Sequence, residues 1–362
     1  MASTVAVAAL FVLPAAPSSA DTGAHSAITI TSDAGFTACG CVTSGNGTAA
    51  SPYVIGPWSI AAPSGGSGGW SVKIDNSAGL ITGYFTIFGI SSAYNDTSTT
   101  DPTIWLVDVH TPTTISGTSA NPTGGNDLGI GVELDGSSNI SIDGVSYNKG
   151  NGTGIYLNGS SDVSINNTKL KATCTLCTPH TGDGIYAVSS SNLQIGTGAD
   201  CPKNNPCNDV TYDDGFGIWL VNTHDAVINQ ADADANDTGG YVLDGSGTYN
   251  ITLENSASHA TGNICISFNG QRVNTGYFTD LQGGLHIING AHDNAIAGDD
   301  FSGDTSGISV GDGGNGFYSN ACTSADQPFS PVETAMGAGN SFSDLCYSTT
   351  NVPGLPPSTC KS

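Results

Sequence analysis

Beyond residue 130 the apolar residues fall into short alternating runs separated by polar corners. The first run of each unit begins with a small residue. It reads Gly-Val-Glu-Leu from Gly131, Gly-Ile-Tyr-Leu from Gly154, Gly-Ile-Tyr-Ala from Gly184 and Gly-Ile-Trp-Leu from Gly217. It continues as Gly-Tyr-Val-Leu from Gly240, Asn-Ile-Cys-Ile from Asn263, Gly-Leu-His-Ile from Gly284 and Gly-Ile-Ser-Val from Gly307. These starts lie 23, 30, 33, 23, 23, 21 and 23 residues apart. A second run follows an Asn or Asp: Asn139-Ile-Ser-Ile, Asp162-Val-Ser-Ile, Asn192-Leu-Gln-Ile and Asn250-Ile-Thr-Leu, with weaker copies at Asp225 and Asp293. Between the runs stand Asp135-Gly136, Asn158-Gly159, Asp244-Gly245, Asn269-Gly270, Asn289-Gly290 and Asp312-Gly313. Asn, Asp and Gly tolerate the left-handed backbone that sharp corners need.

Alternation with period two predicts strands, with Ile155, Leu157, Val163 and Ile165 facing one side and Ser, Thr and Asn the other. No segment carries helical periodicity over ten residues. Such short strands are not stable alone. They become so when each pairs with its equivalent one repeat away, about 4.8 Å along the stack. The pattern therefore predicts an all-β solenoid of about 23 residues per coil, with less regular early coils at Val72-Lys73-Ile74 and Ile104-Trp105-Leu106. Roughly ten coils make a rod about 50 Å long.

Composition agrees and narrows the partners. Of 362 residues, 50 are Gly. The acidic residues number 31, of which only Glu133, Glu254 and Glu333 are Glu, so Asp, a turn former, dominates. With only 7 Lys and Arg the net charge is −24. Nucleic acid and anionic lipid both demand clustered cations, so neither is an expected partner.

The layout resembles the right-handed parallel β-helix proteins, and in particular the NosD-like branch of the pectin-lyase-like superfamily. Gly154-Ile-Tyr-Leu-Asn-Gly-Ser-Ser-Asp-Val-Ser-Ile165 is similar to that family's repeat. Gly45-Asn-Gly-Thr-Ala-Ala-Ser-Pro-Tyr-Val-Ile-Gly-Pro-Trp58 is similar to the lead-in segment of many secreted β-helix proteins. The resemblance covers residues 28–345 and implies the fold; for function it implies little, since the superfamily mixes lyases, hydrolases, epimerases, adhesins and structural proteins. The expected organisation is a signal peptide over residues 1–20, an N-terminal cap over 21–60, the β-helix over 61–321 and a C-terminal cap and Pro/Cys-containing tail over 322–362.

The signal reading rests on the apolar run Val5–Leu13, too short to span a bilayer, and on the small residues Ser18-Ser19-Ala20. The alternative is a retained strand over Thr4–Leu13. Ten Cys suit an oxidising, extracellular location. Cys174/Cys177 and Cys201/Cys207 fall in the two long steps, which predicts loops closed by local disulfides; their spacing suits zinc poorly. Sequons stand at Asn46, Asn95, Asn139, Asn151, Asn158, Asn166, Asn236 and Asn250 and make glycosylation an expectation.

Signatures of chemistry are sparse. Glycan hydrolysis needs paired carboxylates, and the best local match is Asp183 with Asp213-Asp214 one coil later; the competing reading makes them corner residues. The Gly-His-Gly and Arg-Ile-Lys segments of polygalacturonase-type hydrolases have no counterpart in the coils that follow. A lyase base could only be Arg272 among arginines, with no second cation close in sequence. The residues call for no cofactor beyond a Ca²⁺ held by Asp213-Asp214 or Asp299-Asp300. His224-Asp225 and His292-Asp293 lie three coils apart, too far to share a metal. Trp105 and Trp219 alternate outward, where they either meet sugar or lie under an inserted loop. The leading expectation is a secreted structural surface or matrix protein that self-assembles through coil ends or its N-terminal strand. The alternatives are a polysaccharide lyase or hydrolase working in a β-helix groove, and a non-catalytic glycan-binding adhesin.

Overall fold

The computed structural model describes residues 23–61, 69–93, 102–120, 129–150, 152–172, 182–196, 208–210, 215–233, 239–256, Ser258 and shorter stretches between 267 and 347. Its strands wind into three long sheets. One coil illustrates the course: Val132–Asp135 lies in the first sheet, Ser138–Asp143 in the second and Ser146–Gly150 in the third. The first sheet stacks ten strands from Ile28–Ile30 to Ile308–Gly311, the second eleven from Val42–Ser44 to Ser341–Ser343, and the third eight from Gly23–His25 to Ala231–Asp232. Ten strands in the first sheet match the number of coils expected from the repeat.

Pairing is parallel and in register. Val132 faces Ile155, then Ile185, Ile218 and Tyr241 in successive coils. The inward side chains of every coil merge into one core running from Ile28 to Ile296, and Ile155, Leu157, Val163 and Ile165 are fully buried in it. The corners expected at Asp135-Gly136, Asn158-Gly159 and Asp244-Gly245 turn left-handed at the glycine (φ 56°, 59° and 90°), and the Asn/Asp positions before the second run are left-handed as well. Asn139, Asp162, Asn192, Asp225, Asn250 and Asp293 have φ between 53° and 61°. Their side chains also join neighbouring coils, Asn192 Nδ2 donating to Asp162 Oδ1 (3.2 Å) and Asn250 Nδ2 to Asp225 Oδ1 (3.0 Å).

A column of hydroxyls inside the corner supplies a second tie that hydrophobic patterning does not disclose. Ser137, Ser160, Ser190, Thr223 and Thr248 are all buried. Each accepts a backbone N–H from the coil before it: Val109 N–H to Ser137, Ser137 N–H to Ser160, Ser160 N–H to Ser190, Ser190 N–H to Thr223 and Thr223 N–H to Thr248, at 3.1–3.3 Å. Ser160 in turn donates to the Leu134 carbonyl (3.0 Å). The corner bends backbone N–H groups out of the sheet ladders. The hydroxyls satisfy them, and each one left unmade in the interior would cost about 1–3 kcal/mol.

The N-terminal end is closed. Residues 23–61, expected as a cap, already supply one strand to the first sheet and two to each of the others, and helix α1 (Asp33–Ala38) lies across the core. Its Phe36 is buried against Phe85 and Tyr53. Val42–Ser44 pairs antiparallel with Tyr53–Ile55, ending the second sheet on a non-parallel strand. A disulfide joins Cys39 to Cys41 just after α1. The bridge candidates Cys174, Cys177, Cys201 and Cys207 lie outside the described residues.

The run Asn263-Ile-Cys-Ile lies outside the described residues. In the first sheet Gly239–Asp244 pairs directly with Gly283–Ile288. Between these strands in sequence, Ser267–Phe268 pairs antiparallel with Gln271–Arg272. At the other end, the region expected as a cap continues the coils: Ser341–Ser343 extends the second sheet and Cys346–Tyr347 pairs with Asp300–Phe301.

Candidate functional site

The parallel register lines up the outward side chains of the first sheet in two columns. The column nearer the strand starts runs Lys73, Trp105, Glu133, Tyr156, Tyr186, Trp219 and Val242. Beside it run Asp75, Val107, Asp135, Asn158, Val188, Val221 and Asp244. This face holds Trp105, Tyr156, Tyr186 and Trp219, four of the larger aromatic side chains of the coils. By comparison, the second sheet presents Thr86, Thr114, Ser141, Ser164 and Gln194.

The face has three parts. At the N-terminal end Lys73 Nζ sits 3.8 Å from the centroid of the Trp105 ring and 3.3 Å from Asp75 Oδ2, with Trp70 completing the cluster at 5.2 Å. In the middle, Asp135 takes hydrogen bonds from Trp105 Nε1 (2.8 Å, on Oδ2) and Asn158 Nδ2 (3.0 Å, on Oδ1). Glu133 projects from the same strand on the same face, its Cα about 7 Å from that of Asp135 at the usual rise per residue. Tyr156 stands next to both. Burial, and then the charges of Asp135 and Glu133, push its phenol above the ordinary range. Tyr156 stacks on Tyr186, ring centroids 5.4 Å apart and planes 14° from parallel. The two rings therefore cover each other's faces and offer edges and hydroxyls outward. The Tyr186 phenol is pushed up to about 12, by burial first and then by Tyr156, Asp183 and Asp244. Both phenols stay protonated at any physiological pH and serve as hydrogen-bond donors.

The C-terminal part is closed over. Trp219 is only 6% exposed and packs with Phe216, Val242 and Ile288, against Tyr186 and Val221, in a satellite apolar cluster on the outside of the sheet. The outward direction expected for Trp219 is correct, yet the ring is not available to a ligand. Trp105 remains partly exposed, with one face taken by Lys73.

Asp183 lies beneath this region, fully buried. Its Oδ1 accepts the Phe216 N–H at 2.8 Å, and its Oδ2 meets no partner among the described residues. Gly215 permits this approach, since a Cβ there would fall 2.0 Å from Asp183 Oδ1. Burial raises the Asp183 carboxyl to about 7, opposed by the Phe216 hydrogen bond. The residue thus bridges two coils and does not reach the surface. Its expected partners Asp213 and Asp214, and Asp299, lie outside the described residues. Asp300 starts a two-residue strand, and Arg272 lies on the excursion hairpin. Among the described residues no group of three His, Cys, Asp or Glu side chains converges. His224 contacts Asp225 (2.8 Å) and stacks flat on Tyr249. Asn46, Asn139, Asn158 and Asn250 are exposed and Asn166 half-buried, while Asn95, Asn151 and Asn236 lie outside the described residues. No helix among the described residues is long and apolar enough to cross a membrane.

Residues 128–301 match the family described as right handed beta helix region. The fold is a right-handed parallel β-helix. The match is to this fold family as a whole and does not single out the NosD-like branch. Among solved structures, the enzymatically active domain of bacteriophage CBA120 tailspike protein 2 is similar over 89% of this chain, with 12% identity and a TM-score of 0.53. This chain spans 46% of the length of that tailspike chain. An alginate lyase from Paenibacillus sp. is similar at 12% identity and a TM-score of 0.43, over 90% of this chain and 99% of its own. No curated protein matches the sequence. At such identities the likeness concerns the fold of the β-helix alone.

Proposed function

We propose that the protein binds a polysaccharide along the outer face of the first sheet. The observation that carries this reading is the register of Trp105, Glu133, Asp135, Tyr156, Asn158 and Tyr186 on one open face. A glycan chain is long, hydroxyl-rich and amphipathic. Carboxylates and amides in a row accept and donate to its hydroxyls, and aromatic edges meet its C–H surfaces. Rungs about 4.8 Å apart offer repeated contacts to a repeating ligand. A scaffold role alone requires no such face. End-to-end stacking at the N-terminal end would also meet α1 and an antiparallel strand rather than an open coil.

Cleavage is the second reading, favoured by Glu133 and Asp135. Two carboxylates on one face of the same strand are the minimum such chemistry needs, one to protonate a leaving oxygen and one to act on water or the sugar. A polysaccharide panel tests both readings. The Tyr156→Ala/Tyr186→Ala double variant is expected to lose binding about tenfold or more, since stacking and hydroxyl contacts are each worth about 1 kcal/mol. Its melting should change little, because both rings lie outside the inner cylinder. Parent-like affinity in the double variant, or no binding anywhere in the panel, would defeat the proposal. New reducing ends that vanish in Glu133→Gln would favour cleavage.

A further inference from the structure

The disulfide Cys39–Cys41 closes a ring with a single residue, Gly40, between its ends. A cross-link stabilises a fold chiefly by restricting the unfolded chain, and the effect grows with the length of chain enclosed. Here almost no chain is enclosed. Nor is the bond needed to hold the cap in shape. On its α1 side, the Cys39 N–H donates to the Gly35 carbonyl (3.0 Å) and Phe36 is buried against Tyr53 and Phe85. The Asp33 carboxylate of the same helix accepts the N–H groups of Thr82 and Gly83, both at 2.9 Å. On the other side, the Cys41 carbonyl accepts Trp58 Nε1–H (2.7 Å), and Val42–Ser44 pairs with Tyr53–Ile55. None of these contacts passes through the bridge.

The two sulfurs are placed unequally. Cys41 is fully buried, whereas Cys39 is half-buried and is followed by the exposed Gly40. Gly40 turns left-handed (φ +66°), and a Cβ built on it would meet nothing within 4 Å, so the outer side of the ring lies open. The Cys41 N–H points at Cys39 Sγ (3.1 Å), where it would stabilise a thiolate.

We infer that Cys39-Gly40-Cys41 is a thiol–disulfide exchange site, with Cys39 as the reacting sulfur and a dithiol as its substrate. One substrate thiolate attacks Cys39 Sγ. The new S–S bond forms as the Cys39–Cys41 bond breaks, and Cys41 leaves with the electron pair and takes up the proton lost by the substrate thiol. The second substrate thiolate then attacks the substrate sulfur of the mixed disulfide. Cys39 leaves as a thiolate held by the Cys41 N–H and is protonated in turn. The substrate departs as a disulfide, and the pair has gained two electrons and two protons. Because the cap keeps Cys41 beside Cys39 throughout, reoxidation rebuilds the same bond.

A reduced dithiol peptide mixed with the oxidised full chain tests this. The peptide is expected to become a disulfide in step with loss of the Cys39–Cys41 bond, read by alkylation and mass spectrometry of the fragment that carries both cysteines. The Cys39→Ser/Cys41→Ser double variant keeps every other cysteine. It should lose this oxidation, yet melt within about 3 °C of the parent. Single variants locate the reacting sulfur. Challenged with oxidised glutathione, the thiol left in Cys41→Ser should form the mixed disulfide at least about tenfold faster than the thiol left in Cys39→Ser. Equal peptide oxidation by the parent and the double variant would overturn the inference. A bridge that opens only as the chain unfolds, or a double variant that melts far below the parent, would overturn it too, by making the bond a structural staple. Equal rates in the single variants would refute the role of Cys39.

Discussion

Above pH 7 the Asp183→Asn variant is expected to be more stable than the parent protein by a few kcal/mol, whereas near pH 4 the two should melt together. The carboxyl is fully buried, and burial raises it from the ordinary 3.8 to about 7. A raised carboxyl binds its proton more tightly in the folded state. Its favourable contribution is therefore complete below the ordinary value and is lost as pH rises through about 7. At 1.36 kcal/mol per unit, a shift of this size corresponds to roughly 4 kcal/mol across that window. Asparagine keeps an oxygen for the Phe216 N–H and never ionises, so the loss should not occur. Other carboxyls act in the opposite sense. Asp33 and Asp75 are partly buried, which raises them, but hydrogen bonds from Thr82, Gly83 and Ser77, and Lys73 beside Asp75, hold them lower overall. Subtracting the variant's melting profile from the parent's removes their contribution. Parallel profiles from pH 4 to pH 8 would show that Asp183 is not held neutral by burial.

The second large effect is expected at Gly131. Glycine opens most repeats of the first run, and at Gly131 the reason is proximity rather than a left-handed backbone. A Cβ there would lie 2.4 Å from the Gly154 carbonyl oxygen of the next coil and 3.0 Å from the Tyr147 ring. The oxygen belongs to the sheet ladder, accepting the Val132 N–H at 3.0 Å, and has nowhere to go. Gly131→Ala should therefore cost about 3 kcal/mol, at the upper end of ordinary overpacking. Gly159 provides the contrast. Its φ is +59°, but nothing lies within 4 Å of its would-be Cβ. Asparagine, which tolerates that conformation, should replace it at a cost of about 1 kcal/mol or less. Thermal unfolding of the two variants decides the matter: a milder effect at Gly131 than at Gly159 would mean that the coils are not packed this closely.

Much of this architecture was legible in the sequence because corner and core are both local signals. The Asp-Gly and Asn-Gly pairs marked the left-handed corners at Gly136, Gly159 and Gly245, and alternation marked Ile155, Leu157, Val163 and Ile165 as inward. What local signals do not carry is the identity of neighbours one coil away. Ser137, Ser160 and Ser190 looked like ordinary turn residues. Only register makes them a buried ladder. Glu133 was noted merely as a rare glutamate. Its meaning depends on Trp105, 28 positions earlier, and Tyr156, 23 positions later, lying on either side of it. Asp183 was singled out for its carboxylate, but its depth follows from the close approach of Gly215, which no spacing reveals.

The most direct measurement of the central claim is a crystal structure of the protein soaked with an oligosaccharide that the panel shows to bind. The account predicts sugar density along the first sheet, with hydroxyl or amino groups within hydrogen-bond distance of Glu133, Asp135 and the Tyr156 hydroxyl. Density confined to the Thr86–Gln194 face of the second sheet, or to either end of the coil, would contradict it.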